Sequence, residues 1–74
     1  MNLEKWYLEL GAKEVYFHND DNNKCSILFT DAEWVKGLRA VTIDFKGNIW
    51  SAQAVTFEEI QKASDFVKSY YTIN

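Results

Sequence analysis

Two side chains in this sequence could form a nucleophilic pair. His18 and Cys25, the only histidine and the only cysteine, flank the polar run Asn19-Asp20-Asp21-Asn22-Asn23-Lys24. A cysteine nucleophile acts as its thiolate and needs an electropositive, partly exposed setting. The alternation around the run argues against that setting. Cys25, Ile27 and Phe29 fall on one face of a strand, whereas His18 shares the opposite face with Tyr16 and Glu14. Cys25 is therefore expected in the core and His18 in solvent.

The acids invite the same scrutiny. Asp20, Asp21, Asn22 and Asn23 could offer oxygens to calcium, but the run lacks the spacing, the glycine and the terminal glutamate of a twelve-residue calcium loop. Asp31 with Glu33, and Glu58 with Glu59, could serve acid–base chemistry. Each pair also sits at an expected helix start, where acids interact favourably with the helix dipole and the free N–H groups. A structural zinc site usually takes four Cys or His ligands, and the chain has two such residues. Three scattered glycines make no phosphate loop. The expectation is a protein with no catalytic residues, no metal and no cofactor.

The elements must then hold something other than a reaction centre. Leu3, Trp6, Tyr7 and Leu10 repeat at helical spacing, with Asn2 placed to cap the start and Gly11 to end it. The same segment could pass as a strand. Strands are expected at about Lys13–His18 and Lys24–Thr30. Pairing His18 with Lys24 sets Phe17 opposite Cys25 and Val15 opposite Ile27, which gathers one apolar face. Thr30-Asp31-Ala32-Glu33 has the capping-box pattern, so a helical turn is expected around Asp31–Lys36. Gly47-Asn48 suits a two-residue hairpin turn. That turn would pair Phe45 with Trp50, Ile43 with Ala52 and Val41 with Ala54, with Asp44 and Ser51 on the other face. Thr56 and Glu59 form a second capping box, flanked by Val55 and Ile60. Ile60, Ala63, Val67 and Tyr70 would be the inward stripe of the last helix.

These elements predict an α+β fold over residues 1–74 as one domain. It is a two-layer sandwich of order α-β-β-β-β-α, with a four-stranded antiparallel sheet and both terminal helices on one face. The order resembles the double-stranded-RNA-binding domain in outline. The basic cluster that such domains carry at the start of the second helix is replaced here by Thr56-Phe57-Glu58-Glu59.

Composition narrows the function classes. Eleven acids against eight bases give a net charge of −3, and the bases are scattered, which argues against nucleic acid as a partner. Met1-Asn2-Leu3-Glu4-Lys5 has no secretory character and no stretch is long enough to span a membrane, so a cytoplasmic protein is expected. Twelve aromatic residues exceed what a core of this size needs. Tyr16, Leu28, Trp34, Leu38, Ile49, Phe57, Phe66, Tyr71 and Ile73 have no assured place inside. Tyr16, Leu28 and Ile49 are expected on the outer sheet face, and Trp34 in a connector where an anchor is easily presented. With Asp20 and Asp21 they make the expected partner-binding set.

The reading is a small non-enzymatic interaction module that binds a partner protein or a second copy of itself. An inhibitor or regulator is one version, for example a phage or mobile-element inhibitor of a host nucleic-acid enzyme. The alternatives are a nucleic-acid binder using the open sheet face, and a small enzyme whose carboxylates only the fold brings together.

Overall fold

The computed structural model describes residues 3–18, 23–30 and 37–72. The expected turn at 31–36, Asn2, Asp20, Asp21, Trp34 and Ile73 lie outside the described residues. The elements are α1 (Glu4–Leu10), β1 (Glu14–His18), β2 (Lys24–Leu28), β3 (Ala40–Asp44), β4 (Ile49–Gln53) and α2 (Phe57–Tyr71). The four strands form one antiparallel sheet in the order β1-β2-β3-β4, so each strand pairs with its neighbour in sequence. The expected α+β fold is the observed one.

Helix α1 settles the ambiguity of its segment in favour of a helix. Leu3 occupies the capping position without a side-chain bond, and the helix ends at Gly11, φ 72. The Gly11 and Ala12 N–H groups close it by donating to the Tyr7 and Trp6 carbonyls, at 3.1 and 3.3 Å. Helix α2 starts as the sequence implies. The Thr56 hydroxyl accepts from the Glu59 N–H at 3.1 Å, and the Glu59 carboxylate accepts from the Thr56 N–H at 2.8 Å. Glu59 also pairs with Arg39, whose Nε donates to the Ala54 carbonyl at 3.1 Å. The Thr56 N–H and the Arg39 guanidinium hold the Glu59 carboxyl below its ordinary range.

The first hairpin has the expected register, with His18 opposite Lys24, Phe17 opposite Cys25 and Val15 opposite Ile27. The next ladder extends this face by placing Cys25 opposite Ile43 and Ile27 opposite Val41. Both helices cover it. Trp6, wholly buried, is the centre of the core, with Leu10, Cys25, Ile27, Val41, Ile43, Ala63 and Val67 around it. Its ring meets Phe17, Phe66, Tyr70 and Tyr71 edge-on, with centroids 5.0 to 6.3 Å away. Edge-to-face contact is the favoured geometry for aromatic pairs. Phe66 and Tyr71 thus belong to the core, and so absorb part of the apparent aromatic surplus. Tyr70, assigned to the inward stripe, is partly exposed at its rim.

Two polar atoms in this core meet no partner among the described residues, Trp6 Nε1 and Tyr71 Oη. Burial, with smaller contributions from Cys25 and Tyr70, pushes the Tyr71 phenol up to about 12. A buried hydroxyl without a partner costs roughly 1–3 kcal/mol. Tyr71→Phe keeps the ring, which stacks on Phe45 at 3.8 Å, and removes only the hydroxyl. It is expected to raise stability by about 1 kcal/mol, or Tm by about 4–8 °C. A thermal melt reads this directly, and a lowered Tm would mean that the hydroxyl has a partner after all.

The second hairpin departs from the expected register. Val41 lies opposite Ala52, Thr42 opposite Ser51 and Ile43 opposite Ile49, which leaves Trp50 as an extra residue in a bulge. The turn is three residues long, not two. The Gly47 N–H donates to the Asp44 carbonyl and the Asp44 N–H to the Asn48 carbonyl, at 3.0 and 2.9 Å. Gly47 carries the positive φ of 91 that this hairpin type needs. A Cβ there would also stand 3.2 Å from Lys68 Cβ and Ser64 Oγ. The bare backbone lets Ser64 Oγ donate to the Gly47 carbonyl at 2.6 Å, which ties α2 to the turn.

Candidate interaction surface around Trp50

The turn shift begins at Asp44. Its carboxylate Oδ1 accepts from the N–H groups of Lys46 and Asn48, at 2.9 and 3.0 Å. Its Oδ2 accepts from Trp50 Nε1 at 3.0 Å. Asp44 is expected in the open beside Ser51 and is instead buried. Burial alone would raise its pKa, but the bonds from Asn48, Trp50 and Lys46 outweigh that and hold the carboxyl below its ordinary range. The bulge frees Trp50 from the alternation of β4 and lets its ring swing onto this acid.

Trp50 is consequently not in the core. It is 51% exposed, and the Lys24 ammonium sits 4.3 Å above its ring. Lys24 and Asp44 are cross-strand partners. The indole is therefore held from two sides, by a hydrogen bond and by a cation–π contact. A large aromatic that is both exposed and fixed is an unusual surface feature, because fixing it costs side-chain entropy that water contact does not return. Strand β4, which carries Trp50, is exposed at all five positions and forms one edge of the sheet.

Of the sequence-derived set, Tyr16, Leu28 and Ile49 are among the described residues. Tyr16 stands on the outer face as expected, half-exposed, with its hydroxyl donating to Glu14 Oε2 at 3.0 Å. Leu28 shares the outer-face rows with Glu14 and Ala40 but is only 6% exposed, so it offers no surface. Ile49 is exposed but lies opposite Ile43, on the helix side of the register. Leu28 and Ile49 therefore do not join Tyr16 in one patch. Their assignment fails because burial closes over Leu28 and the changed hairpin register moves Ile49. The two-residue turn expected at Gly47-Asn48 would instead set Trp50 opposite Phe45, on the core face of Ile43 and Val41, and the observed register removes it from there.

The outer face carries polar groups in place of that patch. His18 Nε2 lies 2.7 Å from Ser26 Oγ, and Ser26 Oγ lies 2.8 Å from Thr42 Oγ1, across three strands. A histidine on a serine is the first half of a nucleophile–base pair. Here it lies on the outer sheet face, and cross-strand polar pairing accounts for it. Cys25 is fully buried on the opposite face, and burial pushes its thiol up to about 12. His18 and Cys25 are thus apart, as the alternation implies. Among the described residues no group of His, Cys, Asp or Glu is placed to hold a metal ion. No helix among them is long and apolar enough to cross a membrane. A shallow depression along α2 is lined by Phe57, Glu58, Gln61, Lys62 and Asp65. All five come from one exposed stripe of α2.

The remaining exposed apolar residues stand apart from Trp50 in the sequence. Tyr7 and Leu8 are on α1, and Phe57 opens α2 at 78% exposure. No family model matches the chain, and neither do any curated proteins or solved structures.

Proposed function

We propose that this chain is a small non-enzymatic protein-interaction module whose binding surface is the β4 edge, with Trp50 as its anchor. One observation carries the reading. Trp50 is half-exposed and yet fixed by Asp44 and Lys24. Tryptophan is enriched among the residues that dominate binding energies, and a side chain already held in place loses less entropy on binding. The edge strand around it adds main-chain donors and acceptors of the kind that recruit an extended segment. Buried Cys25, an open-faced His18–Ser26 pair, and the structural engagement of Asp44 and Glu59 support a role without bond chemistry.

The net charge of −3 favours a basic partner surface. A cytoplasmic inhibitor or regulator that covers such a surface is the form of the module that we favour. A second reading gains one point from the structure. Tyr16 and Trp50 are both half-exposed, and Trp50 lies beside Lys24, as on sheets that stack single-stranded bases. The two rings belong to opposite edge strands, however, and the chain carries more acids than bases.

One experiment separates the readings. Immobilised wild type and Trp50→Ala are passed through lysate, and both are titrated with single-stranded oligonucleotide at low salt. A specific protein captured by the wild type and reduced at least about tenfold with Trp50→Ala is the expected result. Equal capture by both, or none, sinks the proposal. Salt-sensitive oligonucleotide binding, lost with Trp50→Ala, transfers the surface to nucleic acid.

A further inference from the structure

We infer that α2 is an exchangeable element: two copies of this chain can trade it, so that each α2 packs against the sheet of the other copy. The inference goes beyond the Trp50 surface and does not rest on it. It starts from the connector between β4 and α2, the three residues Ala54-Val55-Thr56. Ala54 holds φ 54, in the left-handed region where a Cβ crowds the following carbonyl oxygen. Among the described residues Asn23 is the other non-glycine with positive φ, and asparagine tolerates that region more readily than alanine. Strained backbone of this kind persists only where its surroundings over-determine it.

Arg39 supplies that restraint. Its Nε donates to the Ala54 carbonyl at 3.1 Å, and its guanidinium pairs with Glu59 in the first turn of α2. One side chain therefore spans the bend that folds α2 back from the end of β4. A short connector under strain favours exchange between copies. Straightened, it loses the strain, and the contacts of α2 form again on the other copy. Ala63 and Val67 are wholly buried, Phe66, Tyr70 and Tyr71 meet Trp6, and Ser64 bonds to the Gly47 carbonyl. These are the monomer's own contacts, so exchange asks for no complementarity between two acidic surfaces. Because α2 must first leave the Trp6 cluster, exchange is slow and happens as the chain folds.

Refolding from urea at a series of concentrations, followed by sedimentation velocity, tests the inference. The wild type is expected to fold to a monomer at low concentration and increasingly to a dimer at high concentration. Ala54→Gly accepts the bend without strain and is expected to lower the association constant of the dimer at least about tenfold. Arg39→Glu and Glu59→Arg identify the exchanged element. Each alone brings like charges together at the bend, whereas an exchanged pair of the two variants joins opposite charges at both contacts. A refolded mixture is expected to hold the mixed dimer in at least about tenfold excess over the dimer of either variant. A wild type that is monomeric at every concentration overturns the inference. So does an Ala54→Gly dimer of unchanged strength, or a mixture with no excess of the mixed dimer. Capture of a partner through Trp50 is read in a separate experiment, so the proposed function and the exchange of α2 stand or fall independently.

Discussion

Trp6→Ala is expected to bring the chain to the verge of unfolding. Large-to-small replacement of a buried aromatic costs about 3–5 kcal/mol. A chain of 74 residues has a total stability of about 4–11 kcal/mol, at 0.05–0.15 kcal/mol per residue. Trp6 also lies at the junction of four rings drawn from β1 and α2, all of which lose their shared contact when it is removed. Trp6→Phe separates packing from polarity. It keeps a ring and deletes the indole N–H that has no partner among the described residues. It is expected to cost less than half as much as Trp6→Ala. Urea titration followed by circular dichroism reads both. A Trp6→Ala loss of under about 1 kcal/mol would show that the core does not hinge on this side chain.

Asp44→Ala is expected to cost about 2–3 kcal/mol and to release Trp50. The carboxylate holds two backbone N–H groups and one indole N–H, and bonds to a charged acceptor are the stronger kind. The dependence on pH follows from the direction of its shift. The folded pKa of Asp44 lies below the ordinary value of 3.8. Its contribution is therefore present in full above the unfolded pKa and declines as pH falls through the folded one. Glu59, shifted the same way, adds to the acid loss. The stability gap between wild type and Asp44→Asn should thus be wide near neutrality and narrow toward about pH 2. Urea unfolding at the two pH values measures it. A gap that does not change with pH would mean that the charge on Asp44 does not matter to the turn.

Asp44 also explains where the sequence could be read and where it misled. The first hairpin was legible because its apolar and polar residues alternate on both strands, and one register alone gathers Val15, Phe17, Cys25 and Ile27. The start of α2 was legible because a capping box is a local pattern, and Thr56 and Glu59 fulfil it. The second hairpin misled because Gly47-Asn48 has the look of a two-residue turn. Asp44-Phe45-Lys46-Gly47 carries a rival signal, with an acid at the first turn position and glycine at the fourth. The carboxylate decides between them, since only the longer turn lets it take both backbone N–H groups. That single shift turned Trp50 onto the outer face and moved Ile49, still exposed, to the helix side of the register, and with them the surface. The burial of Leu28 lay beyond any pattern of alternation, because its position in β2 marks it for the outer face. Bulges leave no mark in periodicity either, so Trp50 read as one more core residue.

The ladder order bears on how the molecule assembles. Every strand joins its immediate successor, so the ladder can form stepwise: the two outer hairpins close short loops, and the β2–β3 pairing closes a longer one, residues 29–39. The Trp6 cluster is different, for it joins residue 6 to residues 66–71 at the far end of the chain. Bringing the two ends of the chain together closes a longer loop than any strand pairing and costs the most closure entropy. If the aromatic junction closes only after the barrier, it acts as a latch, and Trp6→Ala is expected to speed unfolding while leaving the folding rate nearly unchanged.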